Sequence, residues 1–144
     1  MDDLRVCLVQ ADLVWEDKTK NLELLYAMLS TVAVADVIVL PEMFATGFTM
    51  NAAACASTPT GPEVQWMQTL AAEKKACVVG SLIIVEDEKF YNRLFWVTQL
   101  AVVGMMIDFP AQGYAFVSIL FSTLHIFCSY YFCYLIWKDA KPAT

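Results

Sequence analysis

Short apolar runs alternate with helical apolar stripes over the first two thirds of the chain. Residues 5–10 contain Val6, Cys7, Leu8 and Val9 in succession. A run that is apolar on both faces predicts a central strand covered on both sides. Residues 12–20 are polar and predict a loop leading into a helix. Leu22, Leu25, Leu29 and Val32 then recur at helical spacing, and Leu24 and Met28 widen the stripe. Residues 36–40 form the next predicted strand, which Pro41 stops. Residues 43–60 read as a loop rich in Ala, Thr and Asn. Thr60-Gly61-Pro62-Glu63 then signals a helix start, with a capping residue, an early proline and an acid in the first turn. That helix carries Val64, Met67, Leu70 and Ala71 and closes on Lys74 and Lys75, at the favourable end of the macrodipole. Residues 76–85 predict a second buried strand with Gly80 inside it, and Glu86-Asp87-Glu88 a charged turn. Residues 90–97 predict a further strand, paired antiparallel through that turn. Strand, helix, strand, helix, strand, strand is an α/β order with some antiparallel pairing.

The pattern changes near Val97. Residues 1–97 hold 13 of the 15 acids and 7 of the 9 bases, and so carry the whole formal net charge of −6. From 109 to 137 there is no Asp, Glu, Lys or Arg. The chain therefore divides into 1–97 and a divergent hydrophobic tail, 98–144. Residues 114–137 would make a helix of about 36 Å, enough to span a bilayer. Trp137 followed by Lys138 suits an interfacial anchor. His125 near the middle is the costly residue of such a helix, and a neutral ring with a local hydrogen-bond partner is its simplest state. The same tail also suits an aromatic-rich buried segment with β character, or a stretch translated from a frameshift, intron or alternative exon.

Charge and cysteine usage narrow the function. An acidic chain without a basic stripe excludes nucleic acid as the expected partner. Cys7, Cys55, Cys77, Cys128 and Cys133 are an odd set without a secreted-scaffold spacing. The acidic N-terminus lacks the apolar core of a signal peptide. Reduced thiols in the cytoplasm are the expectation, with membrane association through 114–137 as the alternative. One histidine and no second cysteine pair argue against a metal centre, and a serine triad would have to use His125. No glycine fingerprint for phosphate is present, so no cofactor is expected.

The most specific stretch is 37–51, Val-Ile-Val-Leu-Pro-Glu-Met-Phe-Ala-Thr-Gly-Phe-Thr-Met-Asn. A buried strand here delivers one acid, Glu42, to its carboxyl end, where open α/β sheets keep their chemistry. This motif, with residues 6–11 before it and 61–75, 78–85 and Tyr91-Asn92-Arg93-Leu94-Phe95 after it, resembles the N-terminal part of the nitrilase (carbon–nitrogen hydrolase) superfamily. The wording of the motif is most similar to the omega-amidase branch. The resemblance covers about residues 4–97.

The resemblance implies a fold and a chemistry. The fold is the N-terminal portion of an α-β-β-α sandwich that tends to form homo-oligomers. The chemistry uses a Glu as general base, a Lys that stabilises developing charge, and a Cys whose thiolate forms an acyl-enzyme with a small amide. Glu42 occupies the family's Glu position. The family's Lys is expected after the strand at 91–97, yet no Lys occurs between Lys89 and Lys138. The Cys-Tyr-Asp-x-Arg-Phe type motif is absent. Cys55 has no flanking base to activate it and reads as an inert thiol, and Cys7 and Cys77 as small hydrophobes in strands. The expectation is a truncated hydrolase that is inactive as this chain and requires completion to take its small amide substrate. A non-catalytic, membrane-tethered interaction module derived from a hydrolase is the alternative.

Overall fold

The computed structural model describes residues 3–32, 34–100, 102–103 and 109–110. In chain order these form β1 (Val6–Leu8), α1 (Lys18–Ser30), β2 (Val37–Val39), α2 (Ala52–Cys55), α3 (Pro62–Lys74), β3 (Cys77–Glu86), β4 (Lys89–Val97), β5 (Val102–Val103) and β6 (Phe109–Pro110). The expected membrane-spanning helix at 114–137, with His125, Cys128 and Cys133, lies outside the described residues. Among the described residues no helix is long and apolar enough to cross a membrane.

The described strands make one mixed sheet in the order β1-β2-β3-β4-β5, with β6 also paired to β4. β1, β2 and β3 are parallel. β3 and β4 form the expected antiparallel hairpin, from Val78 opposite Val97 to Glu86 opposite Lys89. Asp87 and Glu88 turn it with φ of 49° and 59°. Two left-handed residues in succession match the twist of the strands they join. The fold is thus α/β with a mixed sheet, as the element order implies.

The core lies on one face of this sheet. Leu25 and Leu29 of α1 and Val64, Met67, Leu70 and Ala71 of α3 cluster there with Ile38, Val78, Leu82, Ile84, Phe95 and Val97. Side chains alternate along a strand, so Val79, Ser81 and Ile83 face the other way. They are buried too, which is why β3 reads as a continuous apolar run. On that second face Met43, Ala52, Cys55 and Ile83 form a smaller cluster.

Three sequence expectations need correction. β1 stands at one end of the strand order, and Leu8 is 63% exposed, so it is not a strand covered on both sides. Met28 lies outside the buried stripe of α1, at 37% exposure. The fully buried polar position of that helix is Asn21. The segment 43–60, expected as a loop throughout, is a packed crossing that contains the short helix α2. It leaves β2 at Leu40, whose N–H donates to Val79 O at 2.8 Å. It returns to the same edge of β3 at Ser57, which bonds Ile83 O and Val85 N, both at 2.8 Å.

Candidate active site

Pro41 cannot donate to the ladder, so β2 ends and Glu42 leaves the sheet at its carboxyl end. The following turn is tightly closed. Met43 takes φ 47° and Gly47 φ 72°. The N–H groups of Thr46 and Gly47 both donate to Met43 O at 2.9 Å. Phe44 is fully buried and stacks on Trp66, with ring centroids 5.7 Å apart. It lies so close to β3 that a Cβ on Gly80 would meet Phe44 Cδ1 at 2.9 Å and Leu40 Cβ at 3.1 Å. Gly80 is therefore the position that lets the turn sit down on the sheet.

Neighbouring elements hold the turn from outside. Ser81 Oγ accepts the Met43 N–H at 3.0 Å. Asn21 Nδ2 donates to Ala45 O at 2.8 Å and to Val14 O at 2.7 Å, while its Oδ1 accepts the Val14 N–H at 2.7 Å. Glu16 N donates to Thr46 O at 2.8 Å. The Glu16 carboxylate accepts from Thr49 Oγ1 and from Asn51 Nδ2. Two residues further on, Lys18 Nζ reaches Ala56 O at 3.2 Å and Glu63 Oε1 at 2.9 Å. The start of α1 thus pins the crossing along its length.

Glu42 itself is partly buried. Its Oε1 accepts a hydrogen bond from Asn92 Nδ2 at 2.8 Å. Asn92 stands on β4 opposite Ile83, on the face that carries Ser81. Its own Oδ1 is buried without a hydrogen-bond partner. Arg93, next in sequence, alternates to the opposite face. It is 5% exposed, pairs with Glu86 at 2.8 Å and lies over the Tyr91 ring at 5.6 Å. Glu42 thus accepts a hydrogen bond from a neutral side chain just beyond the end of β2.

Among the described thiols, Cys55 is poorly suited to attack. Cys55 is buried in the cluster with Met43 and Ile83. Desolvation pushes its thiol up, and the Glu16 charge adds to the shift, against a smaller opposing effect of Lys18. This agrees with an inert thiol. Cys7 and Cys77 are partly buried strand residues. Lys18, Lys20 and Lys74 are engaged with Glu63, Asp17 and Val32 O. Among the described residues no group of three His, Cys, Asp or Glu could hold a metal ion.

Asn92 and Gly80 lay within the segments that carry the sequence resemblance, but nothing in their spacing points to Glu42. Asn21 gave no signal beyond being a polar residue inside an apolar stripe.

Known proteins are similar to this chain in sequence and in fold. A family model described as carbon-nitrogen hydrolase matches residues 5–102. The omega-amidase YafV of Escherichia coli (strain B / BL21-DE3) is 38% identical over 97 residues, covering 67% of this chain and 38% of that protein. The chain thus spans well under half the length of this curated relative. Among solved structures, the CN-hydrolase superfamily protein XC1258 of Xanthomonas campestris, with an arsenic adduct in its active site, superposes with a TM-score of 0.67 at 36% identity. That alignment covers 71% of this chain and 39% of the other. Nit3 of Saccharomyces cerevisiae, in branch 10 of the nitrilase superfamily, shares the fold, with a TM-score of 0.58 at 23% identity over 73% of this chain and 42% of that one.

Proposed function

We propose a role for this chain from one premise: it belongs to the carbon–nitrogen hydrolase family. In that role it carries the base-bearing first part of an omega-amidase-like α-β-β-α sandwich, with Glu42 as the general base, and does not hydrolyse amides by itself. The observation that carries the reading is the placement of Glu42. It leaves the carboxyl end of the parallel strand β2, in a turn packed on Gly80 and hydrogen-bonded through Asn92.

The family's reaction needs three groups acting on one amide. A thiolate attacks the carbonyl carbon, the C–N bond breaks, the amine leaves with a proton, and water releases the acid. Glu42 is suited to accept the thiol proton and return it to the leaving nitrogen. The Lys and Cys motifs that complete the set do not occur in the 144 residues. Cys55 does not replace the nucleophile, because its buried thiol is shifted away from the thiolate.

The test is ammonia release from a small omega-amide of a dicarboxylic or keto acid by the purified chain. No release above the buffer control is expected. Release that survives purification and disappears in Glu42→Gln would overturn the inactivity while keeping the base.

A second reading, a membrane-tethered module derived from a hydrolase, is favoured by one observation, the absence of charged residues from 109 to 137. Carbonate-resistant membrane association supports it, and recovery of the chain in the soluble fraction excludes it.

A further inference from the structure

The Asn92 side chain has one satisfied end and one unsatisfied end. Nδ2 donates to Glu42 Oε1 at 2.8 Å, and Oδ1 is buried with no hydrogen-bond partner. Turning the amide over would set Oδ1 against a carboxylate oxygen, acceptor against acceptor, so the orientation is determined by Glu42. A buried carbonyl oxygen without a donor is destabilising. A leucine of similar volume opposite Ile83 would carry no such penalty. The unpartnered oxygen is a cost that a purely structural residue would not carry, and what the amide supplies is the donor to Glu42.

We propose that Asn92 is a positioning residue for Glu42. The sheet holds the strand end at two points on one face. Asn92 is opposite Ile83, and Ser81 is two residues before Ile83 on the same face. Ser81 Oγ fixes the Met43 N–H at 3.0 Å, just after Glu42, while Asn92 fixes the carboxylate itself. The chemistry of the donor matters. A lysine or arginine here would pair with the carboxylate and oppose its protonation, and an acid would repel it. A neutral amide orients one oxygen and leaves the net charge of the site unchanged. The inference rests on the reading of Glu42 as the family's base, but its test needs no turnover.

The experiment follows the side-chain amide of Asn92 by NMR in the 15N-labelled full chain, the signal being assigned by its loss in Asn92→Leu. Between about pH 8 and about pH 3 carboxylates gain a proton. The Asn92 amide signal is expected to move over that range and to stay still in Glu42→Gln. An equal movement in Glu42→Gln, or none in the wild-type chain, overturns the proposal. Should Glu42→Gln not fold, the Glu42 carboxyl-carbon resonance at about pH 8 is compared between wild type and Asn92→Leu. It is expected to be displaced, and an unchanged resonance overturns the proposal. Thermal unfolding separates positioning from a structural role: Asn92→Leu is expected to keep or raise the midpoint, whereas a structural asparagine would lower it. These outcomes are independent of ammonia release, so a failure of positioning is distinguishable from a failure of the proposed function.

Discussion

Nζ of Lys18 lies 2.9 Å from Oε1 of Glu63, a carboxylate in the first turn of α3 whose side chain is 4% exposed. Ser57 Oγ hydrogen-bonds the second oxygen. Three segments, the start of α1, the end of the crossing and the start of α3, therefore meet on one buried acid. The helix-start signal at 60–63 reads Glu63 only as an acid in the first turn. In the fold it is a tertiary anchor, and Gly61 takes the cap position.

This pair makes stability depend on pH. Burial pushes the Glu63 carboxyl up, but the hydrogen bonds from Ser57 and Lys18 outweigh it and hold the group below its ordinary value of 4.5. A carboxylate depressed in the folded state stabilises the protein above its unfolded pKa. That contribution is lost as pH falls through the lower, folded value. Urea unfolding of wild type and Glu63→Gln should differ most near neutral pH and converge in acid. A gap that widens in acid contradicts the assignment. Lys18→Met leaves a buried charge unpaired and should cost about 3 kcal/mol at neutral pH.

Gly80→Ala should destabilise by about 1–3 kcal/mol, the range for an overpacked core. Its Cβ would meet Phe44 Cδ1 at 2.9 Å, which forces either the ring or the Glu42 turn to move. Chemical denaturation measures the loss, and the tryptophan fluorescence of the folded chain should change as the Phe44–Trp66 stack is displaced. A neutral substitution would mean that the turn is looser than its packing implies.

Asn21→Leu removes one acceptor and two donors that serve Val14 and Ala45. The Ala45 O bond is buried and the two to Val14 are part-buried; leaving a buried backbone group unsatisfied costs about 1–3 kcal/mol, so a loss of that order is expected. Hydrogen exchange gives the local readout: the Val14 amide should lose protection more than amides within β3.

These anchors also explain what could and could not be read from the chain. The Glu42 motif was legible because its parts are local, an apolar run, a proline that ends the ladder and an acid just beyond. The hairpin at Glu86-Asp87-Glu88 was legible for the same reason. The contacts that position Glu42 are not local. Asn92 and Glu42 are 50 residues apart in sequence, and Asn21 and Ala45 are 24 apart. No periodicity encodes them. The burial of β1 was overstated because an apolar run marks a strand but not its place in the sheet. Leu8 belongs to such a run and is exposed.

Cys55 should resist alkylation in the folded chain. Its thiol is buried and held towards the neutral form by desolvation and by the Glu16 charge, and a neutral, inaccessible thiol is a poor nucleophile. Peptide mapping after a short iodoacetamide pulse at neutral pH should find Cys55 unmodified, and modified after unfolding in urea. Rapid native labelling at Cys55 would reopen it as a substitute nucleophile.

We propose that this chain keeps the family's base, Glu42, and lacks its nucleophile. Intact-mass spectrometry tests it most directly, by incubating the purified chain with an excess of a small omega-amide and quenching in acid. The expected result is an unchanged protein mass, in wild type and in Glu42→Gln alike. A mass increase equal to the acyl group, mapping to a cysteine and absent in Glu42→Gln, would contradict it.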